Sequence, residues 1–92
     1  MNIKIPQYDG HSIKLAWESG FSIQCCVEDS TIVLSANSAG LVSLAKHLLT
    51  LAQNEVPENT HIHFDEYNSL EKGSHELVII KKQSLCIDAA QV

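Results

Sequence analysis

The chain has 92 residues, 45% of them hydrophobic, and six basic against eleven acidic residues give a formal charge of -5 at pH 7. That length suits a single domain spanning 1–92, with no room for a second core, and the hydrophobic fraction argues against a disordered ground state. The acidic balance argues against non-specific nucleic-acid binding, which needs clustered Lys and Arg, and no run approaches the roughly 20 apolar residues that span a bilayer.

Lys4, Asp9, His11, Lys14 and Glu18 interrupt the first twenty residues, so no apolar signal region is visible there and a cytoplasmic setting is expected. The three cysteines, two of them adjacent at Cys25 and Cys26, form neither a disulfide framework nor a C-x-x-C pair. They read as reduced thiols packed as small hydrophobes.

In chain order, Ile3 and Ile5 suggest an edge strand, since Pro6 cannot serve a central ladder. Ile13, Leu15 and Trp17 alternate with Lys14 and Ala16, which predicts a strand over 12–17. The alternation restarts after Glu18-Ser19-Gly20, with Phe21, Ile23, Cys25 and Val27 on one face. After Glu28-Asp29-Ser30 a third strand over 31–36 sends Ile32, Leu34 and Ala36 inward. Both breaks are short and polar, as hairpin loops require.

Asn37 or Ser38 can cap the helix that follows. On the helical wheel Leu41, Val42, Leu44, Ala45, Leu48, Leu49, Leu51 and Ala52 share one half. Ser43, Lys46, His47, Thr50, Gln53 and Asn54 fill the other. The expectation is a helix burying its leucine side, with Gly40 permitting close approach to the sheet and Asn54 and Pro57 stopping it. His61 to Asp65 then alternates Ile62 and Phe64 against His61, His63 and Asp65. A polar loop from Glu66 to Gly73 precedes Glu76 to Ile80, which is apolar on both faces and so reads as a central strand. Ser84 to Asp88 suggests a short last strand. The expected fold is α+β in βββαββ order: a two-layer, mostly antiparallel five- or six-stranded sheet with one long helix on one face.

His61-x-His63-x-Asp65 places three potential metal ligands on one strand face. It is similar to the H-x-H-x-D-H opening of metallo-β-lactamase-type hydrolases, but the next residue is Glu66 and the chain is too short for the remaining ligands. A cupin-like reading fails on spacing and on the long helix. Alternate polar residues on a half-exposed strand are the common case. No serine stands in a nucleophile-elbow pattern. Cys25 or Cys26 with a distant His would make a dyad only in the sense that any such chain permits. Four scattered glycines build no phosphate loop. Glu71-Lys72-Gly73-Ser74 reads as a turn, with Gly73 at positive φ and Ser74 tying it.

Three segments together resemble the immunity protein 32 family, small bacterial proteins predicted to neutralise toxins of polymorphic or contact-dependent systems. Leu34-Ser35-Ala36-Asn37-Ser38-Ala39-Gly40-Leu41 is similar to the family's strand-to-helix transition. Leu44-Ala45, Leu48-Leu49 and Leu51-Ala52-Gln53 resemble its helix. His61-Ile62-His63-Phe64-Asp65 and Gly73 to Ile79 resemble its closing strands, and Trp17-Glu18 is a weaker echo upstream. The resemblance implies a cytoplasmic, non-enzymatic protein that needs no cofactor and acts by binding.

The expected function is thus a protein-binding module that occludes a cognate bacterial toxin. The expected contact surface is His61, His63, Asp65, Glu66, Tyr67, Glu71 and Glu76, and a basic toxin domain is the partner an acidic protein would meet fastest. The bare sheet face is also available for a homodimer. The alternatives are a small metal-dependent hydrolase using His61, His63 and Asp65, and a self-associating domain without a toxin partner.

Overall fold

A computed structural model describes residues 2–84. Its elements are β1 (Ile23–Glu28), β2 (Thr31–Ala36), α1 (Ser38–Leu51), β3 (His61–Phe64) and β4 (Leu77–Ile80). β1 and β2 form one antiparallel pair, and β3 and β4 form another. The order is therefore ββαββ with two two-stranded sheets, which corrects the expected five- or six-stranded βββαββ sheet.

The difference lies largely in the N-terminal region, where residues 2–22 contain no strand. Ile13, Leu15 and Trp17 still pack on the core, as their alternation requires. The chain on either side of them, however, is tied to the helix and its end at Pro6, Tyr8 and Glu18 rather than to a strand. Glu18 N donates to Ser43 Oγ (2.8 Å), Tyr8 N donates to Gln53 Oε1 (2.9 Å), and Gln53 Nε2 donates to Pro6 O (3.1 Å). A helix surface offers side chains but no ladder, so the segment becomes a strap. Residues 85–88 of the expected last strand lie outside the described residues.

The β1–β2 turn places Asp29 and Ser30 at φ 48° and 67°, the twist of a two-residue type I′ hairpin. On the far side of β1 the chain from 71 to 75 laces the two hairpins together. Glu71 N donates to Ile23 O (2.8 Å) and His75 N to Cys25 O (2.7 Å), while Cys25 N donates to Ser74 Oγ (3.2 Å). Gly73, at φ +88°, turns the chain between these contacts, so a serine hydroxyl stands where a regular ladder would offer a carbonyl. β4 is not central, as its composition suggested. It pairs with β3, and Val78 and Ile80 remain 45% and 48% exposed.

Asn37 caps α1 and also fastens it to the chain before β1. Its Oδ1 accepts from Gly40 N (2.8 Å) and Ser22 N (3.0 Å), and its Nδ2 donates to Gly20 O (2.9 Å). The helix then buries Gly40, Ser43, Leu44, His47, Thr50 and Leu51, leaving Leu41, Leu48 and Leu49 exposed. Relative to the leucine-rich half expected inside, the helix is turned by roughly a third of a turn, at about 100° per residue.

Two causes favour that orientation. The buried polar residues carry their own hydrogen bonds, Ser43 Oγ donating to Ala39 O (2.8 Å) and Thr50 Oγ1 to Lys46 O (2.7 Å), so their burial leaves no hydroxyl without an acceptor. Their small size also lets the backbone approach closely. A Cβ on Gly40 would lie 2.6 Å from Ser22 O, 2.9 Å from Ile23 Cγ1 and 3.0 Å from Ala36 Cβ. Trp17 supplies bulk from the strap, stacking on Phe21 at 4.4 Å and meeting His47 edge-on at 4.2 Å. Ile23, Cys25, Val56, Ile62, Phe64 and Leu70 complete this core with Leu44 and Leu51.

His47 is fully buried, and neither ring nitrogen has a hydrogen-bond partner. Burial first, and the neighbouring Lys46 charge second, hold its pKa below the usual 6.5. Lys46 is in turn paired with Glu18 at 2.5 Å.

Two outcomes follow from this packing. Gly40→Ala should lower the unfolding free energy by about 1–3 kcal/mol, because overpacking against backbone outweighs the gain in helix propensity; chemical denaturation measures it. Well above pH 6.5, the ordinary value, His47 is neutral folded and unfolded. As pH falls through that value the unfolded chain binds a proton the folded core refuses, so stability drops until the lowered folded pKa is passed. Denaturation at several pH values should show a shallower decline below neutrality in His47→Leu; the same slope in both proteins would contradict the assignment.

Candidate partner-binding surface

Strand alternation positions the histidines. In β3, Ile62 and Phe64 point into the core at 4% and 0% exposure, which turns His61 and His63 outward. Cross-strand pairing sets His61 opposite Ile80 and His63 opposite Val78, so the outer face of this hairpin alternates imidazole and exposed aliphatic groups. His63 Nε2 lies 2.9 Å from Glu76 Oε2, and His61 Nδ1 lies 3.2 Å from Asn59 O.

The loop after β3 is closely bonded although it lies at the surface. Asp65 Oδ1 accepts from Tyr67 N (2.9 Å) and Asn68 N (3.0 Å), and Asp65 O accepts from Ser69 N (3.0 Å) and Leu70 N (2.8 Å). Asn68 returns the bond, its Oδ1 accepting from Asp65 N (3.1 Å) and its Nδ2 donating to His63 O (3.1 Å). Glu66 Oε2 accepts from Gly73 N (2.8 Å), closing the loop on itself. Leu70 anchors it at 5% exposure, whereas Tyr67 projects at 90% exposure. An aspartate that accepts from amides two and three residues on is local turn chemistry, and here it holds a large aromatic ring outside the fold.

Of the seven residues singled out from the sequence, hydrogen bonds join His63 with Glu76, and Asp65 with the amide of Tyr67. Glu66 faces the amide of Gly73. Glu71 is directed to the first hairpin, where it lines a polar depression with Ser22, Gln24, Ser35 and Lys72. His61 sits at the far end of β3. For the metal alternative, Asp65 Oδ1 accepts from the amides of Tyr67 and Asn68, and among the described residues no three His, Cys, Asp or Glu side chains are grouped as a metal site.

Sequence reasoning missed the outward leucines of α1 and a groove between the end of α1 and the end of β4, lined by Leu48, Leu51, Ala52, Ile80, Lys81 and Lys82. The available signal was the Gly40, Ser43, His47, Thr50 stripe. Its spacing is helical, and its two hydroxyl residues, Ser43 and Thr50, can be buried with their donors satisfied. Lys81 reinforces this corner, its Nζ donating to Gln53 O (2.6 Å) and Val56 O (2.7 Å) beyond the helix C-terminus.

Among the described residues no helix is long and apolar enough to cross a membrane. The chain matches no curated protein and no solved structure. The family model described as immunity protein 32 matches residues 31–83, from the first residue of β2 through α1, β3, the Tyr67 loop and β4. The three segments that carried the resemblance all fall inside this match, and Trp17-Glu18 falls outside it. Since the match spans more than half of the chain, the protein belongs to the immunity protein 32 family.

Proposed function

We propose that this protein is a non-enzymatic immunity protein that binds a cognate bacterial toxin and neutralises it by covering its working surface. Family membership supports the class of function. The observation that carries the choice of surface is Tyr67, 90% exposed on a loop whose backbone is fixed by Asp65, Asn68 and Glu66. An aromatic side chain carried on a loop whose backbone is fixed before binding makes a strong contact anchor, because little loop entropy is lost on association.

Charge gives the partner its sign. Asp65, Glu66, Glu71 and Glu76 surround Tyr67 in sequence, with Lys72 the one basic residue from 65 to 76. A basic toxin domain complements that rim, and attraction between the two raises the association rate more than it lengthens the complex lifetime. The outer face with His61, His63, Val78 and Ile80 extends the contact beyond the loop.

Calorimetry and stopped-flow mixing with the toxin domain from the neighbouring gene test this reading. Tyr67→Ala should weaken binding about tenfold or more, mainly through faster dissociation. Glu71→Lys and Glu76→Lys should slow association, and the effect should shrink as salt rises. Absence of a complex at low salt, or a Tyr67→Ala variant binding as tightly as the natural chain, would contradict the proposal.

A further inference from the structure

Among the described residues the β1–β2 hairpin has one covered edge and one open edge. The two-residue turn makes Glu28 and Thr31 the closing pair, which fixes the parity of the ladder. Residues 24, 26 and 28 face 35, 33 and 31 with their peptide groups, while 23, 25 and 27 point theirs away from β2. The structure agrees, because the outward groups of Ile23 and Cys25 are those taken by Glu71, Ser74 and His75. By the same parity the N–H and C=O groups of Ile32 and Leu34 point away from β1. Among the described residues they have no backbone partner.

That open edge lacks the usual protections against pairing. Thr31-Ile32-Val33-Leu34-Ser35-Ala36 contains no charge and no proline, and it pairs with β1 without a bulge. Ile32 is 71% exposed, Leu34 41%, and Val27, directly across from Ile32, 50%. Natural edge strands ordinarily carry a lysine, a proline or a bulge to prevent pairing with another chain.

We infer that the outer edge of β2 pairs antiparallel with the same edge of a second copy of this chain, joining two hairpins into one four-stranded sheet. One register satisfies every feature together. With Val33 opposite Val33 of the second copy, Ile32 meets Leu34 of that copy and Leu34 meets its Ile32. Both are positions whose peptide groups point outward, so about four backbone hydrogen bonds form across the two-fold axis. The exposed aliphatic side chains fall on one face and are paired crosswise, and Val33 pairs with its counterpart on the other face. A second copy fits better than a charged partner. Each chain carries -5, so like-charge repulsion disfavours contacts between acidic surfaces of two copies, and this strand carries no charge. The edge lies across the hairpin from the 71–75 segment, so the inference does not depend on the toxin-binding reading.

The contact is small, below the roughly 1,200 Å² of the standard interface class, and its association is therefore concentration-dependent. Sedimentation from about 5 to 500 μM should show a mass rising from 10.1 kDa toward twice that value in the natural chain. Leu34→Lys should stay monomeric across the range with unchanged circular dichroism and Trp17 emission. Ile32→Lys, at the more exposed position, should do the same and serves if Leu34→Lys fails to fold. Hydrogen exchange adds a residue-level readout: the Ile32 and Leu34 amides should gain protection with concentration, while Thr31, Val33 and Ser35 stay protected throughout by β1. A natural chain that remains at 10.1 kDa at the top of the range, or a Leu34→Lys chain that is folded and associates equally well, would overturn the inference.

Discussion

The structure depends on how closely α1 can approach the strand ends that precede and follow β1 and β2. Gly40 sits against Ser22 O, Ile23 and Ala36 with no space for a side chain. Such contact requires a helix face made of small groups, and the Gly40, Ser43, His47 and Thr50 stripe provides one. Ser43 and Thr50 can take that position because each returns its hydroxyl proton to a carbonyl one turn back. His47 cannot, and it remains buried with both nitrogens unpartnered, held by Trp17 and Phe64 on its ring faces and edges. The stability forfeited there is the cost of a core in which a neutral imidazole fills an aromatic site.

This constraint propagates to the surface. With its small side inward, α1 turns Leu41, Leu48 and Leu49 toward solvent. Core volume that those leucines would have filled comes instead from Trp17 and Phe21 in the strap and from Phe64 in β3. The strap therefore follows the helix and contributes no strand, and among the described residues the hydrogen bonds that join the two hairpins are those of the 71–75 lacing, above a shared core. A fold built from two short sheets has exposed edges and faces, and these are where recognition surfaces are available: the imidazole-aliphatic face of β3–β4, the Tyr67 loop, and the open side of β2.

Much of the local structure was legible in the sequence. The span of the strand over 31–36, a polar break at Glu28-Asp29-Ser30, a cap at Asn37 or Ser38, and the alternation of His61 and His63 against Ile62 and Phe64 follow from period and turn chemistry, although Ile32 and Leu34, expected inward, are 71% and 41% exposed. The side of α1 that is buried was not legible from hydrophobicity, because eight apolar residues on one half outweigh the four of the small stripe on any apolar scale. Backbone approach, not side-chain transfer energy, decided the orientation. The 12–17 alternation predicted burial well and hydrogen bonding badly, since period two describes which side chains pack and not what the backbone meets. At the surface, Tyr67 and its acidic neighbours were visible as residue types. The network that makes Asp65 a structural group and Tyr67 a projecting one depends on Asn68 and Glu66 reaching back in space, which no spacing rule reveals.

Family membership and geometry support one account, in which a tightly apposed helix frees aliphatic and aromatic groups for the outside of a small acidic protein. Its central claim is the rotation of α1. Paramagnetic relaxation from a soluble, uncharged probe, read at the leucine methyl groups by NMR, tests it most directly. The account predicts strong broadening at Leu41, Leu48 and Leu49 and protection at Leu44 and Leu51. Protection of Leu48 and Leu49 equal to that of Leu44 would mean that the leucine-rich half faces the core, and would contradict it.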